Sequence, residues 1–337
     1  MLQESGTEAI EADAAAFREC FNHLRTEIGR VFVGQPALVE HLLLCFFCQG
    51  HALLEGAPGL GKTLLVRTLS DALDLRFARV QCTPDLMPAD ITGTNILAET
   101  PDGHRQFSFH RGPIFANIVL ADEINRATPR TQSAFLEAMQ ERHVTVFGVG
   151  HAIDEPFCVF ATENPIEMEG TYPLPEAQLD RFFFKLTVRI PGLDEMAEIM
   201  ARTTGDVQPH VTPRFGAAAV RRMSSLIKRV RIADETMRLA LRLVRATHPD
   251  TEEATPAVKK YVRYGASPRA AQAIILASKA RALVAGRFHA SADDVRSVAV
   301  PALHHRLILN FQGEMDQVVP STIVHGVLAA VAPDSSR

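Results

Sequence analysis

Gly56-Ala57-Pro58-Gly59-Leu60-Gly61-Lys62-Thr63 satisfies GxxxxGK[ST] at every fixed position. The run follows the apolar triplet Ala52-Leu53-Leu54 and leads into Leu64-Leu65-Val66-Arg67, which reads as the start of a helix. Strand, glycine-rich turn and helix, in that order, form the setting in which such a loop holds phosphate. The glycines let the backbone turn its N–H groups inward, and the nest of donors meets an anion at the N-terminus of the helix. In that arrangement Lys62 reaches the β and γ phosphates of a nucleotide and the Thr63 hydroxyl ligates Mg2+. Gly56, Ala57, Pro58, Gly59, Leu60, Gly61 and Leu64 supply the rest of the cradle.

Working outward, further short apolar runs recur at Phe77–Cys82, Ile118–Ala121, Phe157–Thr162 and Phe183–Val188, between stretches with helical spacing. With Ala52–Leu54 they make five candidate strands of a parallel sheet covered by helices, each apolar enough to be central. Pro191-Gly192 breaks the pattern, and the remainder is rich in Ala, Arg, Leu and Val with little strand character. The expected fold is therefore α/β, a three-layer αβα core over residues 31–190, followed by a small all-helical domain over 191–337 and preceded by a helical extension over 1–30. A length of 337 residues suits two domains better than one. Thr212-Pro213, Ser267-Pro268 and Ser291 ahead of Asp293-Asp294 mark helix starts, each with a capping hydroxyl.

The run Ile118-Val119-Leu120-Ala121-Asp122-Glu123 is a buried strand ending in two carboxylates, at a sequence distance that lets it lie beside the loop's strand. Adjacent acids divide the labour: Asp122 holds Mg2+ or its waters, and Glu123 polarises an attacking water as general base. Phe157-Cys158-Val159-Phe160-Ala161-Thr162 ends at Glu163-Asn164-Pro165, which offers the Asn164 amide to position that water if the strands are neighbours; an Asx turn before proline is the plainer alternative. The chain has no Asn-Lys-x-Asp string of the kind that reads guanine, so ATP is the expected nucleotide.

At this point the pattern resembles the AAA+ ATPases, P-loop proteins with a helical lid. Three longer strings resemble the MoxR family within them: Phe109-His110-Arg111-Gly112-Pro113-Ile114-Phe115, Asp122-Glu123-Ile124-Asn125-Arg126-Ala127, and Glu169 to Phe182, which closes on Leu179-Asp180-Arg181-Phe182. The resemblance spans about Val31 to Pro301. It implies that Arg181 is an arginine finger entering the neighbouring subunit's site, where a guanidinium that never deprotonates meets the transferring phosphoryl oxygens. It also implies that Arg269 is the sensor 2 residue of the lid; at the second helical position, its charge otherwise opposes the helix dipole. Val33-Gly34-Gln35 matches the segment that packs on adenine, with Gly34 and Gln35 reading the base. Arg126 and Arg130 could face a neighbour, a pore or only solvent. The same resemblance implies a homo-oligomeric ring, expected to be a hexamer, that remodels or activates a protein partner, including by metal insertion; such partners commonly bear a von Willebrand factor A domain.

Between the second and third strand candidates, Asp90-Ile91-Thr92-Gly93-Thr94 and Arg105-Gln106-Phe107-Ser108-Phe109 flank Thr100-Pro101-Asp102-Gly103 as a hairpin with its turn. A second hairpin is read in Val144–Phe147 and His151–Ile153 around Gly148-Val149-Gly150. Both resemble inserts that act on the substrate in MoxR, magnesium chelatase and replicative helicase relatives.

A nucleic-acid motor is the rival from another class. A net charge of −4, three tyrosines and no tryptophan give it little support. A regulatory module that binds ATP without turnover is the third reading, against which stand Glu123, Asn164, Arg181 and Arg269 together. Hydrophobic residues at 47% and charged residues at 22% describe an ordinary globular chain. The acidic residues of Met1–Ala16 do not read as a signal peptide, and apolar runs such as Leu42–Cys48 are far short of the roughly 20 residues of a membrane span. Five scattered cysteines, including the Cys45/Cys48 pair within an apolar stretch, read as core thiols, so the expected setting is the cytoplasm.

Overall fold

The structure, a computed structural model, describes residues 2–99, 104–165, 170–205 and 211–332, and the side chains among these except those of residues 2–10 and 98. Five parallel strands form the central sheet: β1 (Ala52–Glu55), β2 (Phe77–Gln81), β3 (Ile118–Asp122), β4 (Cys158–Glu163) and β5 (Phe184–Thr187). Their order is β5-β1-β4-β3-β2. This order corrects two expectations. The loop strand β1 and the acid strand β3 are not neighbours, because β4 lies between them. The strands are also not all central: β2 and β5 are edges, and on β2 Arg79 and Gln81 are exposed while Val80 is buried.

The interior strands carry unbroken apolar runs because both of their faces are covered. Leu54, Leu120 and Phe160 point into one core with Phe17, Leu42 and Phe47, while Leu53, Val119 and Val159 point into the other with Phe135 and Phe182. Alternate residues thus serve opposite layers, as the pleat requires. The first layer is built by α1 (Leu2–Val31), α2 (Pro36–Phe47) and α3 (Lys62–Asp71), and the second by α4 (Pro129–Glu141). Phe17 and Phe47 of α1 and α2 meet with ring centroids 4.9 Å apart.

Beyond the sheet come α5 (Leu193–Thr204), α6 (Ala217–Arg229), α7 (Asp234–Arg245), α8 (Pro268–Val284), α9 (Ala292–Leu303) and α10 (Pro320–Val331). Helix α8 is alanine-rich and packs on α1, α2, α6, α7 and α9. Small side chains at Ala270, Ala273, Ala277 and Ala280 let these neighbours close around it. Helix α1 also packs on α3 and α6, so the N-terminal segment is wedged between the sheet layer and the later helices.

Ser267 and Ser291 cap α8 and α9 through hydrogen bonds to Arg269 N–H and Asp294 N–H. Thr212-Pro213 starts no helix. There the Thr212 N–H is tied to the Glu27 carboxylate of α1, Phe215–Gly216 pairs with Leu73–Asp74, and α6 begins only at Ala217. Both hairpins form. The first pairs Gly93–Glu99 with Arg105–Arg111, but Asp90, Ile91 and Thr92 belong to a short helix, Pro88–Thr92, and the Thr100–Gly103 turn lies outside the described residues. The second pairs His143–Val146 with Val149–Ala152, and its turn is Phe147-Gly148, with φ of 49° and 79°, not Gly148–Gly150. The five cysteines are free thiols. Among the described residues no helix is long and apolar enough to cross a membrane.

Candidate functional site

Where β1 ends, Gly59 and Gly61 take φ of 78° and 81°, and Gly61 caps α3 without a side chain, so the helix presents open N–H groups to whatever the loop holds. Gly56 is held by an N–H bond to Glu163 O of 3.3 Å and has no room for a side chain: a Cβ there would lie 2.8 Å from Val188 O. Lys62 folds over the loop and donates to Gly56 O and Ala57 O at 2.5 and 2.9 Å. Burial lowers its pKa, opposed by the charges of Asp122 and Glu123.

Although β4 intervenes, the first turn of α3 reaches the acid strand. Thr63 Oγ1 donates to Asp122 Oδ2 at 3.2 Å, and Thr162 Oγ1 at the end of β4 donates to Asp122 Oδ1 at 2.7 Å. The Thr162 hydroxyl also accepts the Glu123 N–H at 2.7 Å. Glu123 needs that support, because it sits in the left-handed region at φ 58°, ψ 54°, which costs a non-glycine residue about 1–3 kcal/mol. Its carboxylate accepts from Gln81 Nε2 at 3.2 Å and Arg126 Nη1 at 3.3 Å. Asn164 is buried just past β4, and its carbonyl accepts from Asn125 Nδ2 at 3.5 Å.

Beside the loop a cavity of about 240 Å³ is walled by Phe32, Leu60, Leu64, Ile199 and Thr203, with Gln35 and Pro191 at its margin. Gln35 spends its amide on the Arg189 backbone, accepting its N–H at 2.8 Å and donating to its carbonyl at 3.2 Å. Gly34 lies outside this cavity; it lines a neighbouring pocket with Arg25 and Glu198, and a Cβ on it would come within 2.1 Å of the Glu195 carboxylate.

The structure therefore brings together the loop, Thr63, Asp122 and Glu123. It does not bring the two arginines to them. Arg181 lines a pocket with Ser133, Glu137 and Gln140 of α4. Arg269 reaches towards the Arg181 segment instead of the loop, with Nη1 donating to Asp180 Oδ2 at 3.2 Å.

Residues 51–184 match the family model described as ATPase family associated with various cellular activities (AAA), and residues 254–326 match the AAA lid domain. Chaperone MoxR1 of Mycobacterium tuberculosis is 42% identical over 91% of this chain and 80% of its own length. The chain belongs to the MoxR family of AAA+ ATPases. The uncharacterized protein YeaC of Bacillus subtilis is 38% identical over 90% of this chain and 92% of its own. A crystallised protein from Cytophaga hutchinsonii, assigned as an ATPase, superposes with a TM-score of 0.89 at 36% identity, covering 97% of this chain and 98% of its own.

In this MoxR-family chain, several residues at the site carried no motif. Thr162 bridges the two acids from the middle strand, and a hydroxyl at the end of an apolar run was its only signal. Arg79 and Gln81 contact Asp122 and Glu123 from β2, and the alternation Arg79-Val80-Gln81 marks a polar face that sequence alone could have flagged. Ile199 and Thr203 line the cavity from α5, beyond the Pro191-Gly192 break and far from the loop in sequence.

Proposed function

We propose that this chain binds ATP with Mg2+ between subunits of a homo-oligomeric ring, hydrolyses it, and uses the resulting motion to remodel or activate a protein partner. The observation that carries the reading is the convergence of Thr63 and Thr162 on Asp122, with Thr162 also holding the Glu123 N–H, at the mouth of a phosphate-binding loop. Hydroxyl and carboxylate oxygens 3.2 Å apart suit a hard divalent cation, so Thr63 and Asp122 would hold Mg2+, which when bound neutralises charge on the β and γ phosphates.

The chain's own residues do the rest. The loop N–H groups and Lys62, released from its carbonyls, bind the phosphates, and the cavity by Phe32 and Leu64 takes the base, with Gln35 fixing its wall and Gly34 the turn behind it. Glu123 accepts the proton of the attacking water, and Asn164 holds that water in line. Arg181 reaches the next subunit's γ-phosphate, and Arg269 reaches that of its own subunit when the lid closes. The exposed apolar side chains of the hairpins, Phe107 and Phe147 above all, suit a protein client, as does the chaperone name of the Mycobacterium relative. A hexamer, a partner with a von Willebrand factor A domain, metal insertion into the client and a cytoplasmic setting are the finer parts of the proposal.

The test is the ATP hydrolysis rate per subunit against protein concentration for the parent, Glu123→Gln and Arg181→Ala. A specific rate that rises with concentration and falls by about a hundredfold or more in each variant supports the reading. A rate independent of concentration, or unchanged in Arg181→Ala, overturns the shared site.

A further inference from the structure

Asp180, the residue before Arg181, is gathered in by three side chains from the later helices. Ser267 Oγ donates to its Oδ1 at 2.7 Å, Arg306 Nε to the same oxygen at 2.9 Å, and Arg269 Nη1 to Oδ2 at 3.2 Å. Arg306 then continues along the backbone. Its Nη2 donates to Asp180 O at 3.1 Å and Phe182 O at 2.6 Å, and its Nη1 to Phe183 O at 3.4 Å. His305 Nε2 donates to the same Phe182 carbonyl at 3.1 Å.

The two arginines on Asp180 differ in kind. The Arg306 side chain is 3% exposed, and a buried guanidinium persists only where its donors are answered and its charge is balanced. The Arg269 side chain is 48% exposed and makes one contact with the carboxylate, so it can leave at small cost. Burial favours the neutral form of Asp180, but the Ser267 hydroxyl, Arg306 and Arg269 together outweigh it and hold its pKa below the usual carboxylate range. Arg306 contacts Asp180 through Nε and Nη2 independently of Arg269. The backbone on both sides of Arg181 is gripped, while Arg181 lines the pocket on α4.

We infer that Arg306, acting through Asp180, is the positioning residue of Arg181: it fastens the arginine segment of each subunit to that subunit's own lid. Closure of the lid on one nucleotide then re-aims the Arg181 offered to the next subunit. This rests on the role in trans proposed above for Arg181. Arg269 is the exchangeable member, on Asp180 in one lid position and on nucleotide in the other, and Arg306 is the fixed one.

The experiment uses the full-length chain with Asp180→Asn and Arg306→Lys. Asp180→Asn keeps the shape and removes the charge; Arg306→Lys keeps the charge and removes the fork of donors that spans three carbonyls. Amide exchange over residues 180–184 is expected to speed up by about tenfold in both variants, while the affinity for a fluorescent ATP analogue stays within about twofold. Turnover is expected to fall by about tenfold or more and to recover when Asp180→Asn subunits are mixed with Glu123→Gln subunits, which have an intact arginine segment and an inactive site of their own. Parent-like exchange in both variants overturns the inference, and so does a loss of turnover that mixing does not restore. If the parent itself turns over no ATP, the ATPase reading fails while amide exchange still decides whether Arg306 fixes the segment.

Discussion

Arg79 Nε and Nη2 both donate to one oxygen of Asp122, at 3.0 and 2.7 Å, and this is the oxygen that Thr63 also approaches. An arginine thus rests where a divalent cation and its waters would bind. The pair is half-exposed on the arginine side, which limits its worth to about 0.2–1 kcal/mol. Arg79→Gln should therefore lower the Mg2+ concentration for half-maximal ATP turnover by about two- to fivefold. A magnesium titration at saturating ATP reads this directly; a higher requirement would show that Arg79 assists the metal instead of competing with it.

Thr162 answers the Glu123 N–H and holds Asp122 with a single hydroxyl. Thr162→Val preserves the shape and leaves a half-buried N–H unanswered, at about 1–3 kcal/mol. With Glu123 already in the left-handed region, its carboxylate should lose its aim. Turnover is expected to drop about ten- to a hundredfold with ATP binding intact, and Thr162→Ser should restore most of it. Equal losses in Val and Ser variants would contradict this account.

Gly56 is packed so closely that a methyl group would press on the Val188 carbonyl, a backbone atom that cannot turn aside. Gly56→Ala should displace the start of the loop, weaken nucleotide affinity by about tenfold or more, and lower the stability of the nucleotide-free protein by about 1–3 kcal/mol. Equilibrium binding of a fluorescent ATP analogue, paired with a thermal melt, separates the two effects.

His51 carries a pH dependence. It is buried between the sheet and α4, donating through Nε2 to Met139 O at 3.1 Å and accepting the Val159 N–H on Nδ1 at 2.9 Å. Burial, with the Arg142 charge adding to it, drives its pKa from 6.5 down to about 3. A second proton would have to land on the nitrogen that already accepts. The unfolded chain takes up that proton near pH 6.5 and the folded chain does not, so the stabilisation is complete above pH 6.5 and is lost as pH falls towards about 3. Between those limits the unfolding free energy should decline by on the order of 1 kcal/mol per pH unit from this residue alone. Urea melts from pH 7 to 5 should show a shallower decline in His51→Gln than in the parent.

The sequence made the strands legible because each is an apolar run with polar ends, and both faces of the sheet are covered. Leu53 and Leu54 could be assigned to a strand without knowing which layer each would enter. Strand order was not legible, since an interior run such as Ile118–Ala121 reads alike beside any neighbour. Thr212-Pro213 shows a capping signal overruled by a tertiary bond to Glu27. The loop and the acids could be found from the fixed spacing of glycines, lysine and carboxylates. Thr162 and Arg306 could not, because each works through a partner far away in sequence, Arg306 being 126 residues from Asp180, and the polar alternation at Arg79 marks a face without naming its partner.

Helix α8 carries Arg269 in its first turn and Arg281 in its last, and Arg281 ion-pairs with Asp294 at 2.7 Å and with Glu40 of α2 at 3.4 Å. Its 17 residues span roughly 25 Å. Hemmed in by five other helices, it has little freedom to bend. Under the lid motion proposed above, Arg269 beside Asp180 and Arg281 on Glu40 would shift together as the two ends of one rod, which would make the N-terminal helices the far arm of a lever.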